Sequence, residues 1–107
     1  MVENETLELL KEYINLLNEN RIRIKYAYLY GSYLNNSNSE NSDIDLMLVT
    51  ENDCDDFEIG KIWSLTRKVN SKIEPYIINY QSFINNINSP ILALVKRDGF
   101  LINYEKN

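Results

Sequence analysis

Residues 28–49 read YLYGSYLNNSNSENSDIDLMLV and predict a strand, a tight turn, a short polar helix and a second strand. Asp43 and Asp45 are separated by one residue at the start of the second apolar run, so in a strand both carboxylates point to the same face. Residues 46–49 are apolar on both faces, which is typical of a strand buried within a sheet. The stretch therefore predicts a carboxylate pair facing a Gly31-Ser32 turn.

The residue types of this stretch favour metal and phosphate binding. Paired carboxylates suit Mg²⁺, which takes one or two protein carboxylates and completes its shell with water and substrate phosphates. Two such ions on a shared pair can hold a triphosphate and stabilise an in-line displacement. Gly31 permits close backbone approach, the amides of a following helix attract phosphate, and the Ser32 hydroxyl can donate to a phosphate oxygen.

The same stretch has two other interpretations. A Ser/Asn-rich surface loop before an acidic strand start would keep the fold and lose the chemistry. A calcium-binding EF-hand loop would require oxygen ligands and a turn glycine where Met47 and Leu48 stand, so the sequence excludes it.

The pair Gly31-Ser32, ten further residues and then Asp43-Ile44-Asp45 before an apolar run resemble the signature of minimal nucleotidyltransferase (MNT) domains of the DNA polymerase β-like superfamily. The resemblance implies that Asp43 and Asp45 are catalytic and bind two Mg²⁺ ions, and that Gly31 and Ser32 bind the phosphates of ATP. It also implies that Glu74 completes the metal site and helps to deprotonate the attacking hydroxyl. The structural alternative for Glu74 is a solvent-exposed residue at a strand start.

The remaining chain predicts further helices and strands around this stretch. Apolar residues at helical spacing predict a helix over residues 5–19 and a second one to about Asn70, with a residue of the acidic cluster Asp53, Asp55 or Asp56 at its N-terminus. A capping serine before proline predicts a third helix from Ser89 to Gly99. Strands are predicted over 23–30 and 73–78, and residues 100–104 are expected either to add an edge strand or to dock against a partner. The result is an α/β (α+β) fold, a small mixed sheet of three to four strands flanked by helices, as one domain over residues 1–107.

Tyrosines 26, 28 and 30 fall on one face of the predicted strand over 23–30. Core packing is the ordinary interpretation of such a row, and lining a pocket for a nucleotide base is the functional one.

Composition restricts the possible chemistry. The chain has 107 residues, 44% of them hydrophobic, a net charge of −5 and no histidine, which excludes Ser-His or Cys-His catalysis and histidine zinc sites within it. The negative charge argues against direct nucleic-acid binding. No membrane span or signal peptide is expected, and the single Cys54 allows no internal disulfide, so we expect a cytoplasmic protein.

The resemblance implies transfer of AMP from ATP to a hydroxyl, with release of pyrophosphate. Similar small proteins neutralise HEPN ribonuclease toxins by attaching AMP to a tyrosine, so the resemblance implies a type VII antitoxin in a hetero-oligomer with such a toxin. The alternatives are a non-enzymatic antitoxin that acts by binding, the catalytic subunit of an enzyme that modifies small molecules such as aminoglycosides, and a regulatory nucleotide-binding module without turnover.

Overall fold

The computed structural model of the protein describes residues 3–34, 42–86 and 88–104. These residues form α1 (Asn4–Glu19), β1 (Ile24–Tyr30), β2 (Ile44–Thr50), α2 (Asp56–Val69), β3 (Ile73–Asn79), α3 (Tyr80–Asn85), α4 (Pro90–Asp98) and β4 (Phe100–Leu101). A 3-10 turn, Gly31–Tyr33, follows β1. The predicted α/β fold is confirmed, and no helix in the described ranges is long and apolar enough to cross a membrane.

The four strands form one mixed sheet in the order β3-β2-β1-β4. β1 runs antiparallel to both β2 and β4, and β2 runs parallel to β3. A parallel pair needs a crossover connection, which α2 provides between β2 and β3. The predicted edge strand is confirmed as β4, where Leu101 pairs with Tyr28 and Phe100 with Leu29.

Helices cover both faces of the sheet, which explains why β2 is apolar on both sides. Leu46 and Leu48 belong to the larger core on one face, together with buried residues of α1 and α2. Met47 and Val49 belong to a second core on the other face, together with buried residues of α3 and α4. The sheet is therefore buried on both sides along most of β2.

A buried hydrogen bond connects the two helices of the larger core. The hydroxyls of Tyr13 on α1 and Thr66 on α2 lie 2.7 Å apart, and the Thr66 hydroxyl donates to the carbonyl of Ile62 at 2.6 Å. The Tyr13 hydroxyl is therefore the donor to Thr66, and burial raises the pKa of Tyr13 to about 12.

The predicted starts of α2 and α4 are confirmed by their capping bonds, whereas α1 begins after Glu3 without a side-chain cap. The Asp55 carboxylate accepts from the backbone of Glu58 at 2.8 Å, and the Glu58 carboxylate accepts from the backbone of Asp55 at 3.2 Å, which completes a capping box. Ser89 caps α4, with Pro90 at its first position. The acidic cluster before α2 thus serves the helix start, as its sequence indicated.

One helix differs from the sequence-based expectation. α3 was not predicted: it begins directly after β3, where the Asn79 side chain accepts a hydrogen bond from the backbone of Ser82 at 2.8 Å. Gly31 is followed by the 3-10 turn Gly31–Tyr33, and the short polar helix predicted after the tight turn is not tested. Residues 35–41 of the predicted polar segment lie outside the described residues.

Candidate active site

Three neighbouring strands place Tyr30, Asp45 and Glu74 side by side. Tyr30, the last residue of β1, pairs with Asp45 near the start of β2, and Asp45 pairs with Glu74 near the start of β3. Directly paired residues point to the same face of a sheet, and adjacent strands lie about 4.8 Å apart. The register thus brings together two of the predicted site residues, Asp45 and Glu74, and adds Tyr30. We call these three residues the site row.

Gly31 holds the turn against the end of this site row. Its φ is +80°, a backbone conformation that glycine adopts far more readily than other residues. A Cβ built on Gly31 would overlap the carboxylate of Asp45, and would lie 3.3 Å from its Cγ. The sequence predicted a glycine for close approach to phosphate; the structure shows that the backbone here closely approaches Asp45.

The site places the carboxylate of Asp43 close enough to Asp45 to affect its ionisation. Asp43 is exposed immediately before β2, whereas Asp45 is half-buried. Burial raises the pKa of the Asp45 carboxyl, and the charge of Asp43 raises it further. A divalent cation between these groups would favour their ionised forms and so offset both effects.

The phenol of Tyr30 is influenced by the same charges. Burial raises the pKa of Tyr30 to about 12, and Asp45, Tyr76 and Glu74 contribute in the same direction. Tyr30 therefore stays protonated at neutral pH and keeps a hydroxyl donor beside the carboxylates. Tyr76 belongs to this neighbourhood although no sequence motif singled it out; its position two residues after Glu74 in a strand was the available indication.

The donor set fits Mg²⁺ without forming a complete cage. Within residues 3–34, 42–86 and 88–104, no three acidic or cysteine side chains are grouped closely enough to hold a metal ion by themselves. Mg²⁺ needs only one or two protein carboxylates beside water and phosphate, and Asp43 and Asp45 supply two hard oxygen donors. Glu74 is exposed beside Asp45, and its function as a third ligand stays a prediction.

The predicted phosphate-binding residues lie in the turn after β1. The turn is closed by the backbone N–H of Leu34, which donates to the carbonyl of Gly31 at 3.1 Å, and Ser32 is half-buried within it. The turn follows β1 directly and packs on β2. The structure thus places Gly31 against Asp45, with Ser32 next in the same turn, and the binding of phosphate by these two residues stays a prediction.

Packing accounts for the other two tyrosines of β1. The rings of Tyr28 and Phe83 are stacked with centroids 5.7 Å apart, and those of Tyr26 and Tyr80 are 6.1 Å apart. The ammonium of Lys25 lies 4.7 Å from the centre of the Tyr80 ring. These contacts belong to the core under α3 and α4, so Tyr26 and Tyr28 pack there, whereas Tyr30 lies beside Asp45. The lining of a nucleotide-base pocket by these rings stays a prediction.

A family model described as polymerase beta, nucleotidyltransferase matches residues 11–101 of the chain. The match extends over β1, the turn, β2 and β3, and so over every predicted site residue. The chain therefore belongs to the polymerase beta nucleotidyltransferase family, and the predicted enzyme class, nucleotidyltransferase, is confirmed. No curated protein matches the sequence.

Solved structures with the same fold include toxin-antitoxin complexes. A chain of a toxin-antitoxin complex with AMP-PNP superposes with a TM-score of 0.60 at 21% identity, covering 90% of this chain and 74% of that one. A chain of the complex of a tri-AMPylated Shewanella oneidensis HEPN toxin with an MNT antitoxin gives 0.55 at 20% identity, covering 92% and 73%. A Sulfolobus solfataricus protein thought to be a nucleotidyltransferase gives 0.57 at 16% identity, covering 89% and 77%.

Proposed function

We propose that this protein is a Mg²⁺-dependent nucleotidyltransferase that moves AMP from ATP to a tyrosine hydroxyl of a HEPN ribonuclease toxin, and so acts as a type VII antitoxin. The observation that carries the proposal is the register that sets Glu74 beside Asp45, with Gly31 against the Asp45 carboxylate. The similar complexes that contain AMP-PNP and an AMPylated HEPN toxin support this acceptor.

Each site residue has a proposed part in the reaction. Asp43 and Asp45 hold Mg²⁺, two ions when the site is fully loaded, while Ser32 and the amides after Gly31 bind the terminal phosphates of ATP. When bound, Mg²⁺ neutralises the negative charge that builds up on the phosphates during the displacement. The carboxylate of Glu74 accepts the proton of the acceptor hydroxyl.

The transfer is a single displacement at phosphorus. The acceptor oxygen forms a bond to the α-phosphorus as the bond from that phosphorus to the α,β-bridging oxygen breaks. Pyrophosphate leaves with that bridging oxygen and its electron pair. The products are a tyrosine–AMP ester and pyrophosphate, and the Tyr30 hydroxyl can donate a hydrogen bond to a phosphate oxygen from its fixed position beside Asp45.

The acceptor is proposed to arrive as part of a second protein, which makes the working unit a hetero-oligomer. The net charge of −5 favours a partner with a basic contact surface. The cysteine Cys54 is free, in keeping with a reducing compartment, so we place the reaction in the cytoplasm.

The direct test is the intact mass of the protein encoded by the neighbouring gene after incubation with this protein, ATP and Mg²⁺. We expect one or more AMP units to be added, and no addition with the double variant Asp43→Asn/Asp45→Asn. Glu51→Gln is the matched control, because Glu51 is an exposed carboxylate just beyond the other end of β2, and it should transfer AMP normally.

The other outcomes each identify a rival function. A stable complex without any mass gain would replace the proposal with an antitoxin that acts by binding alone. AMP transfer to an added aminoglycoside, with none to protein, would indicate the small-molecule enzyme. Tight binding of ATP and Mg²⁺ without pyrophosphate release would indicate a regulatory nucleotide-binding module.

A further inference from the structure

The site row has two different ends. At one end lie β1 and the turn after Gly31, the proposed site for the terminal phosphates of ATP. At the other end lies β3, which carries Glu74 and is an edge strand of the described sheet. An in-line displacement requires the attacking hydroxyl to approach opposite the leaving pyrophosphate. The acceptor would therefore reach the α-phosphorus over β3, an inference that rests on the proposed function.

The aromatic side chain of Tyr76 lies on this proposed route over β3. Tyr76 follows Glu74 by two residues in β3, so both point to the same face of the sheet. The residues that alternate with them, Ile73 and Pro75, are buried on the opposite face. Tyr76 keeps 39% of its surface exposed, so its ring is accessible from this edge of the sheet.

The edge itself is suited to contact through side chains. Pro75 lies between Glu74 and Tyr76 and has no backbone N–H, which weakens β3 as a template for an added strand. A partner that approaches this edge therefore meets the Tyr76 ring in preference to a row of free backbone donors. An exposed ring of this kind pairs well with another aromatic ring, in offset or edge-to-face geometry.

We propose that Tyr76 is a specificity-determining residue, whose ring contacts the aromatic ring of the acceptor tyrosine as it enters over β3. The contact holds the acceptor hydroxyl beside Glu74 and the α-phosphate. It also favours tyrosine over serine or threonine as acceptor, because only tyrosine offers a ring to pair with.

The test compares Tyr76→Ala and Tyr76→Phe in AMP transfer to the protein encoded by the neighbouring gene. Phe100→Ala is the matched control, because Phe100 is 40% exposed and lies on β4, the opposite edge strand. We expect Tyr76→Ala to lower kcat/KM for the acceptor about tenfold, or about 1.4 kcal/mol. Tyr76→Phe and Phe100→Ala should stay near the unaltered protein, since each leaves a ring at position 76.

Two further measurements separate the possible explanations. Calorimetric titration with AMP-PNP and Mg²⁺ should give equal affinities for Tyr76→Ala and the unaltered protein. The second measurement is the loss of rate when the modified tyrosine of the acceptor is replaced by serine. This loss should be about tenfold smaller with Tyr76→Ala than with the unaltered protein, because both changes remove the same contact.

The outcomes distinguish this inference from the function on which it rests. An unchanged kcat/KM in Tyr76→Ala, an equal tyrosine preference in both proteins, or a matching loss of AMP-PNP affinity would overturn the acceptor contact alone. The last result would assign the ring to the nucleotide instead. No AMP transfer by the unaltered protein to any protein acceptor would overturn the proposed function, and the acceptor contact with it.

Discussion

Gly31→Ala is expected to destabilise the protein through Asp45. The left-handed conformation at φ +80° costs about 1–2 kcal/mol for a residue with a Cβ. The new Cβ would also overlap the Asp45 carboxylate, and moving that side chain off its rotamer adds about 0.5–1.5 kcal/mol. The free energy of unfolding should therefore fall by about 1.5–3.5 kcal/mol. Urea unfolding followed by fluorescence of Trp63, the one tryptophan in the sequence, measures it.

The cost of displacing the Asp45 side chain can be isolated in an Asp45→Ala background, where the overlapping carboxylate is absent. There Gly31→Ala should cost only the conformational term of about 1–2 kcal/mol. Gly60→Ala is the matched control, because Gly60 is exposed in α2 with nothing within 4 Å of an added Cβ, and it should stabilise by about 1 kcal/mol. Equal losses for Gly31→Ala in both backgrounds would refute the contact with Asp45.

Further predictions concern the site charge, the buried hydroxyl pair and the end of α1. Asp45→Asn should abolish AMP transfer and leave the fold intact. The folded-state pKa of Asp45 is raised above 3.8, so the folded state binds its proton more tightly. Stability of the unaltered protein should therefore decrease as pH rises from about 4 through that pKa; if urea midpoints of the variant show the same decrease, Asp45 is not its source. Tyr13→Phe should lower the free energy of unfolding by about 1 kcal/mol. Thr66→Val should lower it by about 1–3 kcal/mol, because it leaves the buried Tyr13 hydroxyl without an acceptor; a larger loss of thermal stability for Tyr13→Phe than for Thr66→Val would contradict this. Arg21 has φ 67° just after α1, with a Schellman pattern of hydrogen bonds, so Arg21→Gly should stabilise by about 1 kcal/mol; an unchanged urea midpoint would count against that strain.

Local patterns predicted the elements because each is encoded by neighbouring residues. The alternation before Gly31, the apolar run after Asp45 and the Ser89-Pro90 start each predicted an element that the structure contains. α3 was missed because its six residues are too few to show a helical period, and its cap, Asn79, is also the last residue of β3. Short helices of this kind are determined mainly by their packing.

The site was predictable in its residue types and less so in its geometry. The Asp43-Ile44-Asp45 spacing identified the carboxylate pair, and the family resemblance identified Glu74. The register between β2 and β3 depends on how α2 packs between distant parts of the chain, which no local pattern encodes. For the same reason the close approach of Gly31 to Asp45 was not predictable from sequence.

A comparison of the two ends of β2 and β3 explains why the site lies at the end that carries Asp45 and Glu74. At the far end, Thr50 pairs with Asn79, and their polar groups are used within the chain: the Thr50 hydroxyl donates to Asn52 and the Asn79 oxygen caps α3. At the near end, the paired Asp45 and Glu74 are both acidic, and Asp45 has a raised pKa next to Asp43. Like charges placed side by side disfavour folding unless a cation offsets them, so their presence at this end of β2 and β3 favours a function in metal and phosphate binding.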